Sequence, residues 1–180
     1  MIETLISSKT RIKLLKKFFI NANTTGYLRS LQQEFGESSN AIRVELNRLE
    51  EAGMLNAELV GNKKVFRANA EHPLFEEVHR ILLKQIGLNS IIEQVIERLG
   101  NVEKVFLIGD FSRGTDSPII DLLIFGEIDR SYLLELIEKA EKAVHRKIRF
   151  LLYPSEKASV AVLAQFHPSP LLLWSKDKEA

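Results

Sequence analysis

Two apolar runs separated by a polar, glycine-containing stretch are the most regular feature of this chain. Residues 105–108 and 119–125 are rich in β-branched and aromatic side chains, which is typical of buried strands. Gly109, Gly114 and Pro118 interrupt the chain between the two runs. Since flanking strands hold such a loop in place, we expect it to present the functional side chains of this region.

The remainder of the second half alternates between helical and strand-like patterns. Apolar residues recur at helical spacing in two segments, and Asp129 or Ser131 is the expected N-terminal cap of the later one. A short apolar run follows the later helix, and the last residues of the chain again have a helical pattern followed by an apolar run. The predicted elements are helices over residues 91–99, 132–145 and 158–166 and strands over residues 148–153 and 171–174.

In the first 86 residues the dominant pattern is an apolar residue at every third or fourth position. It predicts four helices, over residues 7–22, 27–35, 40–52 and 71–85. Ser38 or Ser39 is the expected cap of the third helix, and Gly53 is its stop signal. Gly61-Asn62 separates two short strand-like runs, residues 55–60 and 63–68, and therefore predicts a hairpin.

Three helices followed by a hairpin with a basic tip is the order of a winged helix. Residues 8–70 resemble the winged-helix DNA-binding domains of ArsR-like transcriptional regulators. The pattern Leu46-x-x-Leu49-x-x-x-Gly53-x-Leu55 at the end of the third helix strengthens the resemblance. It implies double-stranded DNA as the partner, with the third helix in the major groove.

Polar residues on the third helix and at the hairpin tip are the candidate DNA contacts. Arg can read guanine and Asn can read adenine with paired hydrogen bonds, whereas Lys, Ser and helix-start amides meet phosphate. The alternatives are that Arg43 and Asn47 are ordinary solvated residues, or that the domain binds a protein instead of DNA. The candidates are Ser38, Ser39, Asn40, Arg43, Asn47, Lys63 and Lys64.

The loop between the apolar runs of the second half carries a second resemblance. It is similar to the signature of minimal nucleotidyltransferases, in the DNA polymerase beta-like superfamily. That signature is Gly-Ser after a strand, then Arg-Gly, then Asp-x-Asp at the next strand, and it implies a triphosphate and two Mg²⁺ ions. The matching positions are Gly109, Asp110, Arg113, Gly114, Ile119 and Asp121.

Departures from this signature fall at the positions that bind ligands. Asp110 stands where the family has Ser, Ile119 replaces the first Asp, and Arg149 stands where a third carboxylate is expected. We therefore predict that the chain is not an enzyme and needs no cofactor or metal. A possible vestigial nucleotide site remains at Gly109, Asp110, Arg113, Gly114 and Asp121.

Three alternatives to that interpretation stay open. Asp110 or Asp116 could join Asp121 in holding one metal ion, which would make the domain an active nucleotidyltransferase. The strands and their loop could also be an ordinary structural hairpin. A third hypothesis is an antitoxin-like module that binds a protein partner.

Composition limits the remaining choices. With 45% hydrophobic and 27% charged residues and a net charge of +1, the chain is typical of a soluble globular protein. It contains no cysteine, begins without a signal-peptide pattern and has no apolar run of membrane-spanning length, so we expect a cytoplasmic protein with no membrane partner. The predicted fold class is α/β (α+β), with a winged-helix domain over residues 1–86 and a nucleotidyltransferase-like domain over residues 87–180.

The fourth helix has more apolar surface than one small domain can bury. Its stripe includes Leu74, Val78 and Ile81. The surplus predicts packing against the second domain or against another copy of the chain. Because dimeric regulators bind paired half-sites, we expect a homodimer. A protein partner or a nucleotide ligand is also expected for the second domain.

Overall fold

The computed structural model describes residues 2–157 and 160–178. The fold is mixed α+β with two sheets, which confirms the predicted class. The chain divides into two compact units, Met1–Gln85 and Ile86–Ala180. None of the helices in the described part of the chain is both long and apolar enough to cross a bilayer.

The first unit contains four helices and a three-stranded sheet, and a fifth helix ends at its boundary. The helices pack through apolar side chains at helical spacing, and the burial of these side chains is the main stabilising term of this unit. Almost completely buried are Phe18, Leu31, Ile42 and Leu46. The elements are α1 Ile2–Leu5, α2 Lys9–Phe19, β1 Thr25–Tyr27, α3 Leu28–Phe35, α4 Ser39–Glu51, β2 Leu55–Val60, β3 Lys63–Ala68 and α5 Phe75–Ile86.

Serine caps fix the beginnings of two of these helices. The Ser8 hydroxyl accepts a hydrogen bond from the backbone N–H of Arg11 at 3.2 Å, which caps α2. For α4 the cap is Ser38, whose hydroxyl accepts from the N–H of Ala41 at 3.2 Å. Each cap satisfies a helix-start donor that would otherwise have no partner.

The sheet of the first unit has the order β1-β3-β2, and both pairings are antiparallel. The hairpin β2–β3 has the predicted bounds, with Val60 opposite Lys63 across the Gly61-Asn62 turn. Gly61 has a φ of +62°, a conformation that this tight turn requires and that side chains disfavour. Strand β1 was not predicted, because three residues are too few to show a strand pattern.

Lysines of α2 bind carboxylates of the next helix and its end. Lys13 Nζ lies 2.8 Å from Glu37 Oε1, and Lys17 Nζ lies 3.0 Å from Glu34 Oε2. Both lysines therefore hold α2 against the α3 region instead of pointing freely into solvent.

The second unit is a four-stranded sheet with helices on it. Strand order is β6-β5-β4-β7, with β5 and β6 parallel and the other pairs antiparallel. A π-helical turn at Ile92–Ile96 interrupts the predicted helix over residues 91–99. The elements are α6 Leu88–Ile91, α7 Glu97–Leu99, β4 Val102–Ile108, β5 Ile119–Gly126, α8 Arg130–Val144, β6 Lys147–Tyr153, α9 Val160–Leu163 and β7 Leu171–Ser175.

Helix α8 makes the crossover between the parallel strands β5 and β6. The Asp129 carboxylate caps it by accepting from the N–H of Tyr132 at 2.9 Å. On one sheet face, Val162, Leu163 and Phe166 pack against buried strand residues such as Phe125. The predicted helix over residues 158–166 is shorter here, and its first two positions lie outside the described residues.

Candidate functional site

A cleft of about 670 Å³ lies in the first unit, bordered by α3, α4 and the β2–β3 hairpin. Five of the predicted DNA contacts line it, and Ser38 and Asn40 do not. A volume of this size admits part of a nucleic acid or a small ligand. The lining residues are Tyr27, Leu28, Arg29, Gln32, Ser39, Arg43, Leu46, Asn47, Asn62, Lys63, Lys64 and Phe66.

Helix α4 is oriented by its apolar side. Ile42, Leu46 and Leu49 are buried in the unit. On the other side of the helix Arg43 and Asn47 are exposed. Since the helix is anchored by packing, these two side chains have a fixed starting position over the cleft.

The two hairpin lysines have different surroundings. Lys63 Nζ lies 4.5 Å from the centre of the Tyr27 ring, a cation–π contact. Lys64 Nζ lies 2.6 Å from Glu50 Oε2 on α4 and 5.3 Å from the Phe66 ring centre. Each lysine is held near the cleft by a neighbouring side chain.

The charge of the cleft is of one sign. Arg29, Arg43, Lys63 and Lys64 line it, and the described residues of its lining include no Asp or Glu. Arg29 and Arg43 have no carboxylate partner within the described parts of the chain, so their guanidinium groups are available to an anion. Lys64 is the exception, because it binds Glu50. Cations without carboxylate partners attract polyanions.

Among the cleft residues that sequence reasoning missed are Tyr27, Arg29 and Gln32. They surround the start of α3, and the unpredicted strand β1 helps to place them beside the hairpin. The Ser39 hydroxyl donates to Gln32 Oε1 at 2.7 Å, and the Ser38 hydroxyl is the helix cap. Both predicted serine contacts therefore already have partners within the protein.

In the second unit, the strand loop (residues 109–118) begins beside the carboxylate of Asp121. Ile108 is opposite Asp121 across β4 and β5. Gly109 has a φ of +68°, and a Cβ at this position would lie 2.6 Å from Asp121 Oδ2. Only glycine therefore fits here without a shift of the carboxylate.

Asp121 is bound by Arg149, its neighbour in the parallel register of β5 and β6. The guanidinium donates from Nε to Oδ1 at 2.6 Å and from an Nη to Oδ2 at 3.0 Å. These hydrogen bonds, together with the charge of Asp121, raise the pKa of Arg149. The pair uses both oxygens of the carboxylate that the nucleotidyltransferase signature assigns to metal.

Amides of the strand loop are used within the loop itself. The N–H of Arg113 and the N–H of Thr115 donate to the Asp110 carbonyl at 2.9 and 3.0 Å, and the N–H of Gly114 donates to the Phe111 carbonyl at 3.0 Å. The Arg113 guanidinium donates to the His167 carbonyl at 3.3 Å. Of the five predicted nucleotide-site residues, the structure thus brings Gly109 and Asp121 into direct proximity.

Arg146 anchors the other end of the strand loop. Its guanidinium lies 2.9 Å from Asp116 Oδ1, donates to the Ser117 carbonyl and lies 5.4 Å from the centre of the buried Phe111 ring. Asp116 is therefore engaged by an arginine, as Asp121 is.

The donor set of this loop does not fit the metal ions that the resemblance implies. Ile119 supplies no oxygen, and Asp121 and Asp116 are each bound by an arginine. Over residues 2–157 and 160–178, no group of three or more His, Cys, Asp or Glu is placed to hold a metal ion.

Comparisons with known proteins give matches to solved structures alone. No family model and no curated protein matches the chain. The chain is similar to the rebuilt and re-refined structure of the tri-AMPylated Shewanella oneidensis HEPN toxin in complex with MNT antitoxin, with 19% identity and a TM-score of 0.38. The match covers 53% of this chain and 76% of that one.

Two further structures are of MntA with its toxin partner. The toxin–antitoxin MntA–HepT matches with 20% identity, a TM-score of 0.37, and coverage of 53% of this chain and 75% of that one. A mutant MntA–HpeT matches with 21% identity, a TM-score of 0.39, and coverage of 51% and 75%.

The prediction that the chain is not an enzyme is contradicted by these comparisons. The structures that the chain resembles are toxin–antitoxin pairs, one of which contains a tri-AMPylated toxin. Counting carboxylates at the signature positions tests only one way of holding metal ions. The departures from the signature therefore do not exclude enzymatic activity.

Proposed function

We propose that residues 1–86 form a winged helix-turn-helix domain that binds double-stranded DNA, and that the chain is a sequence-specific, cytoplasmic transcriptional regulator. The observation that carries the proposal is the cleft, where Arg43 and Asn47 of α4 lie beside Arg29 and the hairpin lysines, with no acidic side chain among its described lining. The order α2, α3, α4 and hairpin supports the same assignment.

In this proposal α4 enters the major groove. Arg43 donates two hydrogen bonds to a guanine edge, and Asn47 pairs with an adenine. Asn40, one turn earlier on an exposed position, reads or positions the neighbouring base. At the start of α4, the Ser38 hydroxyl donates to phosphate while it accepts from Ala41, and the Ser39 hydroxyl does so by exchanging Gln32 for phosphate. The hairpin meets phosphate through Lys63 and Lys64.

The test is selection of bound fragments from random or genomic DNA, with wild-type protein and with Arg43→Ala and Asn47→Ala. We expect a near-palindromic motif for the wild type, lost or relaxed in both variants. Arg98→Ala, which removes an exposed cation of the second unit, is the matched control and should recover the wild-type motif. Absence of any motif at moderate salt would overturn the proposal.

We also propose that the regulator is a homodimer. Leu74 directly precedes α5 and its carbonyl accepts from the N–H of Val78 at 3.1 Å, whereas Ile81 lies seven positions later within the helix; they are 54% and 50% exposed. Such a spacing places both on one helix face, where a second copy can cover them. In analytical ultracentrifugation we expect a dimer for the wild type and for Leu151→Glu, and a monomer for Ile81→Glu.

For residues 87–180 we propose a nucleotidyltransferase-like domain that binds a protein partner or a nucleotide. Support comes from the order of its elements and from Gly109 and Asp121 at the signature positions. The test is transfer of labelled nucleotide from ATP to protein or nucleic acid in the presence of Mg²⁺, together with ATP binding by calorimetry. Asp121→Asn should abolish whichever signal the wild type gives, and a wild type without either signal would leave a protein partner as the role of this unit.

A further inference from the structure

We infer that Glu50 competes with DNA phosphate for Lys64 and so lowers the affinity of the cleft for duplex DNA of any sequence. The inference rests on the proposed DNA-binding function and adds a residue that opposes it. Glu50 does not line the cleft, yet its carboxylate holds one of the four cations that do.

The Glu50–Lys64 ion pair connects α4 to the hairpin and is accessible to solvent. Glu50 lies in the last turn of α4, and Lys64 lies near the hairpin tip on β3. Their 2.6 Å contact joins two elements that are fourteen residues apart in sequence. The Glu50 side chain is 33% exposed and that of Lys64 is 48% exposed, so phosphate can reach the ammonium group while the carboxylate is bound.

Carboxylate and phosphate oxygens are equivalent acceptors for a lysine ammonium group. A phosphate that approaches Lys64 therefore meets a partner already in place and a like charge next to it. Arg29 and Arg43 have no such competitor among the described residues. Lys64 is thus the cleft cation whose charge is neutralised before DNA arrives.

The experiment measures binding of the full-length chain to a short fluorescein-labelled duplex of mixed sequence by anisotropy. Measurements run from about 50 to 200 mM salt, where phosphate contacts control the affinity. The variants are Glu50→Gln, Lys64→Gln and the double variant. Glu51→Gln is the matched control, because it removes the same charge from an exposed neighbouring residue of α4.

We expect Glu50→Gln to bind about two- to fivefold more tightly than wild type, the range for an exposed ion pair. Glu51→Gln should give a smaller change, since it alters only the overall charge. In the Lys64→Gln background, adding Glu50→Gln should raise the affinity for the duplex by no more than Glu51→Gln raises it in the wild type. Lys64→Gln alone should reduce the salt slope by about 0.9, the value of one phosphate contact.

Two results would overturn the inference alone. One is equal tightening by Glu50→Gln and Glu51→Gln, and the other is tightening by Glu50→Gln that persists without Lys64. A wild type that binds no duplex, while circular dichroism shows it folded, would instead overturn the DNA-binding function. The failures of the two proposals are therefore distinguishable.

Discussion

The cleft of the first unit and the strand loop of the second are built from the same charged residue types, but the charges are paired differently. In the cleft, Arg29 and Arg43 have no carboxylate partner within the described residues. At the strand loop, Arg149 binds Asp121 and Arg146 binds Asp116. A cation without a partner is available to a ligand, whereas a paired cation mainly holds its own backbone.

This difference explains why the cleft carries our functional assignment. A polyanion would gain the full attraction of the cleft arginines, but at the strand loop it would first have to displace an aspartate. From the residue types alone, both regions would be equally good candidates for an anion-binding site. Substitutions at the cleft should therefore act mainly on DNA binding, and substitutions at the strand loop mainly on stability.

Replacing Arg43 should have the largest effect on DNA binding. Arg43→Ala removes a side chain that we propose to read a guanine, so the affinity for the selected site should fall by about 1–3 kcal/mol. The measurement is anisotropy with the selected duplex. Arg98→Ala should leave the affinity close to wild type, and equal losses in the two variants would show that net charge, not the cleft, controls binding.

At the strand loop the largest expected effect is on stability. Gly109→Ala should destabilise the second unit by about 1 kcal/mol or more, because φ is left-handed and the new Cβ would contact the Asp121 carboxylate. Gly100→Ala is the matched control, since its φ is +73° and no atom lies within 4 Å of a Cβ there. If urea denaturation shows equal losses, the close approach of Gly109 to Asp121 is not a constraint.

Arg146 should matter more for folding than Arg149. Arg146→Ala removes an ion pair, a hydrogen bond to the Ser117 carbonyl and the cover over Phe111, and should cost about 1–2 kcal/mol of unfolding free energy. Arg149 is 66% exposed, so Arg149→Ala should have the smaller effect. A reversed order in denaturant titration would contradict the view that these arginines anchor the loop.

The smallest expected effect concerns pH and the ion pairs that Glu45 of α4 makes with Arg11 and Arg48. Burial raises the pKa of Glu45, but hydrogen bonds from Arg11 and Ser8 and the charges of Arg11 and Arg48 outweigh it, so the pKa lies below its ordinary value. The stabilisation is therefore present above the ordinary pKa of a glutamate and is lost as pH falls through the lowered value.

Glu45→Gln should accordingly lose less stability than wild type on acidification. The measurement is the free energy of unfolding as a function of pH. Glu58→Gln, which changes an exposed glutamate of β2, is the control and should follow the wild-type curve. Parallel curves for all three proteins would show that Glu45 does not contribute to the acid-side loss.

Local patterns in the sequence were sufficient to predict most elements. The hairpin strands have the predicted bounds because Gly61-Asn62 fixes the turn and therefore the register. Strand β7 also agrees with the prediction, because an apolar run defines it. Such features depend on residues that are close together in the sequence or on the regular pairing of two strands. Arg149, which the signature places where a third carboxylate is expected, proves to bind Asp121, and that pairing was not predicted.

Contacts between distant segments were not predictable in this way. Strand β1 is stabilised by β3, some forty positions later, and Arg29 joins the cleft because of the tertiary fold. The Glu50–Lys64 pair and the internal use of the loop amides likewise depend on tertiary geometry. The residue types identified the candidate cations. Which of those cations have a carboxylate partner, and which are available to a ligand, depends on the tertiary structure around them.

The strand order of the second unit has a consequence for synthesis on the ribosome. All three strands of the first unit are complete by Ala68, so that unit can fold while the rest of the chain is still being made. In the second unit β4 pairs with β7, which ends at Ser175. Until then one side of β4 is an open edge of Val, Phe, Leu and Ile residues. A nascent or truncated chain that ends before Leu171 should therefore be prone to intermolecular strand pairing, although its first unit is already folded.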